Sequence, residues 1–349
     1  MSRRLSRRKA LGALAAAACL IVAGNAARTA RSEVDPDAYA RPGTLVELPD
    51  HRKINFRCSG HGSPTVILEA GFGAGSNAWS SVQGRISPFT RVCSYDRAGY
   101  GFSDPGPMPR DGAAIARDLD FGLMSARLSG PFVVVGHSAG GLYARLFAAR
   151  RRKDVVGLVF VDPSVEHQTQ RLAALFGPTA GNLDGVRRRP ADCLAAVRGP
   201  GDPEHKAARL ACAPVALDAH ARAVALRPET YVTQLSELDT LFTTTSDEVD
   251  RVGGLLHTVP AIVLTAAKAA GQPAGGNDPG AVAWQSFHQA LADTFWKPDS
   301  RLIKSSHLMM FDRPEVVAGA ALELAAKARA LRAANWAFPR PRPSSNKGP

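Results

Sequence analysis

The stretch that most constrains this chain is Pro131-Phe132-Val133-Val134-Val135-Gly136-His137-Ser138-Ala139-Gly140-Gly141-Leu142-Tyr143. Four apolar residues, three of them β-branched, read as a buried strand, and Tyr143, Leu146 and Phe147 follow at helical spacing. So little chain separates the two patterns that it has to turn sharply at Ser138. Such a turn strains the serine backbone. Gly136 and Gly140 leave out the side chains that would collide where strand and helix nearly touch. The Ser138 hydroxyl is therefore expected in open space. The Ala139 N–H, at the first turn of the helix, is expected to face the place where an oxyanion would form.

The rest of the chain has the length and balance of one large soluble domain. It holds 349 residues, 45% hydrophobic and 21% charged, with a formal charge of +12. That charge would suggest a nucleic-acid partner if it lay in one patch, and it does not. Residues 1–26 hold five basic and no acidic side chains, and residues 336–349 hold three basic and none acidic, which leaves +4 for the body. No long basic run or aromatic-interleaved basic stripe lies inside the body, so nucleic-acid binding is not expected.

Residues 1–26 read as an export signal. Ser2 to Lys9 is charged, Ala10 to Gly24 is apolar but short for a bilayer span, and Gly24-Asn25-Ala26 fits a cleavage site. Ser6-Arg7-Arg8-Lys9-Ala10-Leu11 resembles the twin-arginine pattern, with Ala10 where a large apolar residue is usual. An exported protein, periplasmic or extracellular, is the expectation. Membrane contact is expected only through this segment, if it is not cleaved. Residues 27–43 form a leader, and the Pro- and Ser-rich residues 336–349 a disordered tail.

Between these ends strands and helices alternate. Leu45 to Leu48 and Lys53 to Cys58 read as an edge hairpin, and Pro64 to Ala70, Thr90 to Tyr95 and Val155 to Val161 as further strands. Ile115, Leu119 and Leu123 mark one face of a helix over 113–128. This spacing predicts an α/β fold with a mostly parallel sheet covered on both faces. Residues 44–163 form its first part and 257–335 its second. Residues 164–256 break the rhythm, being rich in Ala, Leu and Arg with no β-run, and read as a helical lid over the carboxyl ends of the strands.

Three stretches fall at predicted strand ends: the Gly71-Phe72-Gly73 turn, the Ser138 turn, and Ser305-Ser306-His307-Leu308-Met309-Met310-Phe311-Asp312-Arg313-Pro314. Together with Tyr95-Asp96-Arg97-Ala98-Gly99-Tyr100-Gly101-Phe102-Ser103-Asp104, they resemble the α/β-hydrolase superfamily over roughly residues 44–334. The resemblance implies an α/β-hydrolase fold with a helical cap, Ser138 as nucleophile and His307 as base. It also implies an oxyanion hole built from the N–H groups of Phe72 and Ala139. Many members have His-Gly at that turn where this chain has Ala70-Gly71, a change that leaves the backbone donor in place. His51, His61, His167, His205, His220, His257 and His288 are read as surface residues.

The acid is where this chain departs from the commonest pattern. No carboxylate follows Ile262-Val263-Leu264-Thr265 until Asp278, whereas Asp162 ends the strand after the Ser138 helix. Asp162 is favoured over Asp278 because a rigid element holds it. The competing reading of Asp162 is a helix N-cap with Pro163 at the first helical position. The implied activity is cleavage of a small-molecule carboxylic ester through an acyl-enzyme. An amide or C–C bond hydrolase on the same residues, or a non-catalytic binding protein, are the alternatives. No metal cluster or dinucleotide fingerprint is present, so no cofactor or metal is expected. Four cysteines remain after signal cleavage, and Cys193 and Cys212 are expected to form a disulfide in the lid.

Overall fold

The computed structural model describes residues 39–213, 219–267 and 278–337. The proposed signal of residues 1–26 and the leader up to residue 38 lie outside the described residues, as does the tail from residue 338. Eight strands form one sheet in the order β1-β2-β4-β3-β5-β6-β7-β8. They are β1 (Thr44–Glu47), β2 (Lys53–Ser59), β3 (Thr65–Glu69), β4 (Val92–Tyr95), β5 (Phe132–His137), β6 (Val155–Val161), β7 (Ala261–Ala266) and β8 (Ser300–Ile303). β2 pairs antiparallel with both β1 and β4, and every pair from β4 to β8 is parallel. The expected edge hairpin is β1–β2, and a parallel sheet fills the rest.

The strand sequences explain why both faces are covered. Successive side chains of a strand point to opposite faces, and the apolar runs divide accordingly into two packed layers. Ile67, Phe132, Val134, Leu158, Phe160 and Val263 lie on one face. They pack with Ile115 and Leu119 of α2 (Gly112–Ser125), Leu142 and Phe147 of α3 (Gly140–Arg150), and Phe287 and Leu291 of α10 (Pro279–Asp293). Val66, Leu68, Val133, Val135, Val159, Val161 and Leu264 lie on the other. There they meet Val82 and Ile86 of α1 (Ser80–Ile86) and Val317, Ala321 and Leu324 of α12 (Pro314–Ala337). Each such side chain contributes about 1.5–3 kcal/mol by leaving water. A strand apolar at every position thus needs helices on both sides.

The block between β6 and β7 is helical, as its composition suggests. It contains α4 (Gln168–Phe176), α5 (Asp184–Arg198), α6 (Pro203–Cys212), α7 (Ala219–Ala225), α8 (Pro228–Leu241) and α9 (Thr244–Gly253). It is anchored on the loop after β4: Thr233 of α8 lies so close to Gly99 that a Cβ there would sit 2.1 Å from its Oγ1. It also meets the start of α2, where Thr245 Oγ1 accepts from Gly112 N–H and Ser236 Oγ from Arg110 N–H.

Cys193 of α5 and Cys212 of α6 are joined by a disulfide, the pairing anticipated for this block. Cys58 and Cys93, direct cross-strand partners on β2 and β4, form a second. Local spacing could not reveal this one, since only the strand pairing opposes the two residues. For the Cys193–Cys212 loop, with a sequence separation of 19, cross-linking should contribute roughly 3 kcal/mol. Cys193→Ser with Cys212→Ser is expected to lower the unfolding free energy by about that amount, as read from urea titration followed by circular dichroism.

Candidate active site

Parallel pairing of β3, β5 and β6 brings three loops side by side at the carboxyl edge of the sheet. These carry Gly71-Phe72, Ser138 and Asp162. His307 arrives at the same edge from the segment between β8 and α11 (Met309–Asp312).

Ser138 follows the last residue of β5 and has φ of 50°, the left-handed region that costs a non-glycine residue about 1–2 kcal/mol. Three backbone bonds hold it there. Its N–H donates to Val161 O at 3.1 Å, and its carbonyl accepts from the N–H groups of Gly141 and Ser164, each at 2.9 Å. The tightness of the turn is visible at Gly136, where a Cβ would lie 2.5 Å from Gly140 O, and Gly140 is pressed against the end of β3, where a Cβ would lie 2.6 Å from Glu69 O. Ser138 is half-buried, and its hydroxyl has no hydrogen-bond partner among the described residues. The Gly71 loop lies against it: a Cβ on Gly71 would sit 3.1 Å from Ser138 Cβ. Among the described residues, neither Phe72 N–H nor Ala139 N–H finds an acceptor.

His307 Nδ1 and Asp162 Oδ2 are 2.6 Å apart, with Asp162 fully buried and His307 partly exposed. A carboxylate oxygen only accepts, so the proton of this bond resides on Nδ1, and Nε2 of a neutral ring is the lone-pair nitrogen. Asp162 Oδ1 accepts from Ala266 N–H and from Trp284 Nε1–H, both at 2.9 Å. Burial pushes the Asp162 carboxyl up. The bond and charge of His307, with help from His288 and the Ala266 N–H, outweigh burial and hold it below the usual carboxylate value. Asp162 does not cap a helix, since the next one begins at Gln168; it sits at φ 42° at the end of β6.

Asp278 takes the role that Asp162 declines. It caps α10, accepting from Ala281 N–H at 3.0 Å, and makes no bond to His307. The loop over 268–277 that would have carried it inward lies outside the described residues.

His288 corrects a sequence expectation. It is fully buried and not on the surface. Its Nε2–H donates to Pro163 O at 2.8 Å, its Nδ1 accepts from Thr265 Oγ1 at 2.9 Å, and its ring lies beside Asp162 Oδ1. Burial holds it neutral, its pKa below the usual histidine value. Trp284 and His288 lie four apart on one face of α10, and together they wall in Asp162. Their helical spacing was legible, but the carboxylate they enclose lies more than a hundred residues upstream.

His137 ties the serine turn to the histidine loop. Its Nε2–H donates to the carbonyl of His307 at 2.9 Å, and the two rings lie 4.7 Å apart. Burial first, then the charge of His307, hold its pKa down to about 3. Since the unfolded chain protonates this ring near pH 6.5, the unfolded state binds more protons as pH falls from about 6.5 toward 3, and stability is lost over that window. His137→Gln keeps a donor near the Nε2 position without the titration. Between pH 6.5 and 4.5 its loss of folding free energy is expected to be about 2 kcal/mol smaller than that of the wild type in parallel urea titrations.

The sequence profile of the alpha/beta hydrolase family matches residues 61–321, about three quarters of the chain. The chain belongs to the α/β-hydrolase family. Among its relatives, Probable transporter efuK of Hormonema carpetanum is 35% identical over 136 residues, 37% of this chain and 19% of that one. Uncharacterized protein YqjL of Bacillus subtilis is 30% identical over 115 residues, 33% of this chain and 43% of its own. In such matches the chain thus spans less than half of the curated relatives' length. Among solved structures, the enol-lactonase from Burkholderia xenovorans has a TM-score of 0.55 at 16% identity, over 80% of this chain and 99% of that one. At this identity the likeness describes the α/β-hydrolase fold.

Proposed function

We propose that this α/β-hydrolase cleaves a carboxylic ester of a small molecule through an acyl-enzyme. Ser138 is the nucleophile, His307 the general base and Asp162 the acid that orients it. The reading is carried by the Asp162–His307 bond of 2.6 Å beside a serine held at positive φ. A serine hydroxyl is a weak nucleophile at neutral pH and needs a base to take its proton. Ser138 Oγ attacks the carbonyl carbon as its proton passes to His307 Nε2. The new imidazolium is stabilised by the buried carboxylate on the other ring nitrogen. The carbonyl oxygen becomes an oxyanion between Phe72 N–H and Ala139 N–H, donors that lack any other partner among the described residues. Collapse expels the alcohol, which takes the proton from His307. Water then attacks the acyl-enzyme with His307 again as base, and releases the acid. The Ser138–His307 contact is the one that bound substrate has to close, as is common for catalytic hydrogen bonds of free enzymes.

The helical block over 164–256 acts in this reading as a lid. Two disulfides fit work in an oxidising compartment, as the signal-like residues 1–26 imply. A fluorophosphonate probe is expected to label Ser138 alone, and a series of p-nitrophenyl esters to be hydrolysed with a chain-length optimum. Absence of labelling in folded protein would refute the reading.

A further inference from the structure

Beneath the Gly71 loop lies a fully buried guanidinium, that of Arg97. Its Nη1 donates to Ala70 O at 2.7 Å and to Glu69 Oε1 at 3.1 Å. Its Nη2 donates to Gly71 O at 2.9 Å and to Glu237 Oε2 at 3.3 Å, and its Nε to Glu237 Oε1 at 3.1 Å. All five N–H groups that arginine possesses are thereby used, a fork that a lysine could not supply. Two acceptors are consecutive backbone carbonyls of one loop. The others are carboxylates from two separate parts of the chain, Glu69 ending β3 and Glu237 on α8 of the helical block. Tyr100 Oη also donates to Glu237 Oε2, at 2.9 Å, and the rings of Tyr100 and Tyr143 flank the guanidinium.

The chemical meaning lies in which carbonyls are held. Gly71 C=O and Phe72 N–H belong to the same planar peptide unit, and in a trans peptide they point in opposite directions. A cation fixed on the carbonyl side sets the plane of that unit, aims its N–H to the far side, and polarises it into a stronger donor. The hydrogen bond from Nη1 to Ala70 O fixes the preceding peptide as well. Without such a support, Gly71 could rotate its flanking peptides freely.

We propose that Arg97 is a positioning residue that aims the Phe72 N–H at the oxyanion, and that Glu237 of the helical block holds Arg97 in place, coupling that block to the oxyanion hole. Arg97 touches no reacting atom and acts through the Gly71–Phe72 peptide. The inference rests on the proposed ester hydrolysis, so its test includes a readout specific to the oxyanion. Sulfur is a poorer hydrogen-bond acceptor than oxygen and too large for a fitted oxyanion site. Wild type should therefore strongly prefer a p-nitrophenyl ester to its thionoester.

In Arg97→Lys, kcat on the oxygen ester is expected to fall about 100-fold, the scale of losing one oxyanion donor, with KM changed less than about threefold. The ester-to-thionoester rate ratio should fall at least about tenfold, because the thionoester loses less. Glu237→Gln keeps the shape of the contact and serves if the lysine variant does not fold. Its ratio is expected to fall about threefold or more, and the rate of Ser138 phosphonylation by the fluorophosphonate should fall with it. An unchanged ratio in folded variants, whether kcat falls or stays, would overturn the inference, since general structural damage lowers both rates alike. Ser138→Ala separates the two levels. If it retains turnover, the ester-hydrolase reading itself fails. If it abolishes turnover while the ratio is unmoved in the Arg97 and Glu237 variants, only the positioning role fails.

Discussion

Ser138→Ala is expected to lower ester hydrolysis to at least a thousandfold below wild type while changing the unfolding free energy from urea titration by no more than about 0.5 kcal/mol. The two halves of this expectation have separate causes. The Ser138 hydroxyl bonds to no described residue, so its removal leaves no buried partner unsatisfied. The backbone bonds that keep the turn at φ 50°, from Ser138 N–H to Val161 O and to Ser138 O from Gly141 and Ser164, are untouched by the change. The hydroxyl is nevertheless the only atom in the proposed mechanism that can form the acyl bond. Steady-state kinetics on a p-nitrophenyl ester and a denaturation curve on the same preparation check both halves. Near wild-type turnover in folded protein would remove Ser138 from the mechanism. His307→Ala should be nearly as damaging, because in the proposed mechanism nucleophile and base act as one unit and their losses do not add.

Asp162→Asn is expected to lower kcat about 10³–10⁴-fold, and Asp278→Asn to change it less than about twofold. The contrast follows from counting donors. The Asp162 carboxylate accepts from three N–H groups at once, those of Ala266, Trp284 and His307. An asparagine carbonyl can meet the first two, which turns its NH2 toward His307 Nδ1. The ring can then receive that bond only by moving its proton to Nε2, the tautomer that cannot accept a proton from serine. Asn at 278, by contrast, remains a good N-cap for α10 and keeps the bond from Ala281 N–H. Burial of an amide facing a ring nitrogen should also cost Asp162→Asn about 1–3 kcal/mol of stability. The kinetic comparison is therefore made below the unfolding transition of both variants. If Asp278→Asn loses orders of magnitude and Asp162→Asn does not, the acid has been assigned to the wrong strand.

Local chemistry specifies several elements of this chain in the sequence itself. Phe132 to Val135, Val155 to Val161 and Ile262 to Leu264 are apolar at successive positions, which only a doubly covered strand tolerates, and the sheet buries them on both faces. The Gly136-His137-Ser138-Ala139-Gly140 turn needs both its glycines, because close approach of β5 and α3 excludes a Cβ at Gly136 and the end of β3 excludes one at Gly140. The position of His307 between the last strand and the terminal helix was likewise legible from order along the chain. Asp162 could be preferred over Asp278 because a strand end is rigid.

What the sequence could not convey depends on register and on distance along the chain. The Cys58–Cys93 bridge exists because β2 runs antiparallel beside β4 in one particular register. His288 looks like any helical histidine until α10 is laid over the end of β6, which buries it beside Asp162. Arg97 and Glu237 are 140 residues apart, and although Arg97 lies in the family-like stretch that starts at Tyr95, nothing in the sequence marks Glu237 as its partner. Their pairing is decided by where α8 comes to rest on the loop after β4, and a buried charge can persist there only because every one of its donors is met. Local sequence determined the strands, the serine turn and the candidate residues at each strand end. Tertiary packing alone decided which carboxylate reaches His307 and which cation lies under the Gly71–Phe72 peptide, because both are contacts between side chains that the backbone brings together only after the sheet and the helical block have assembled.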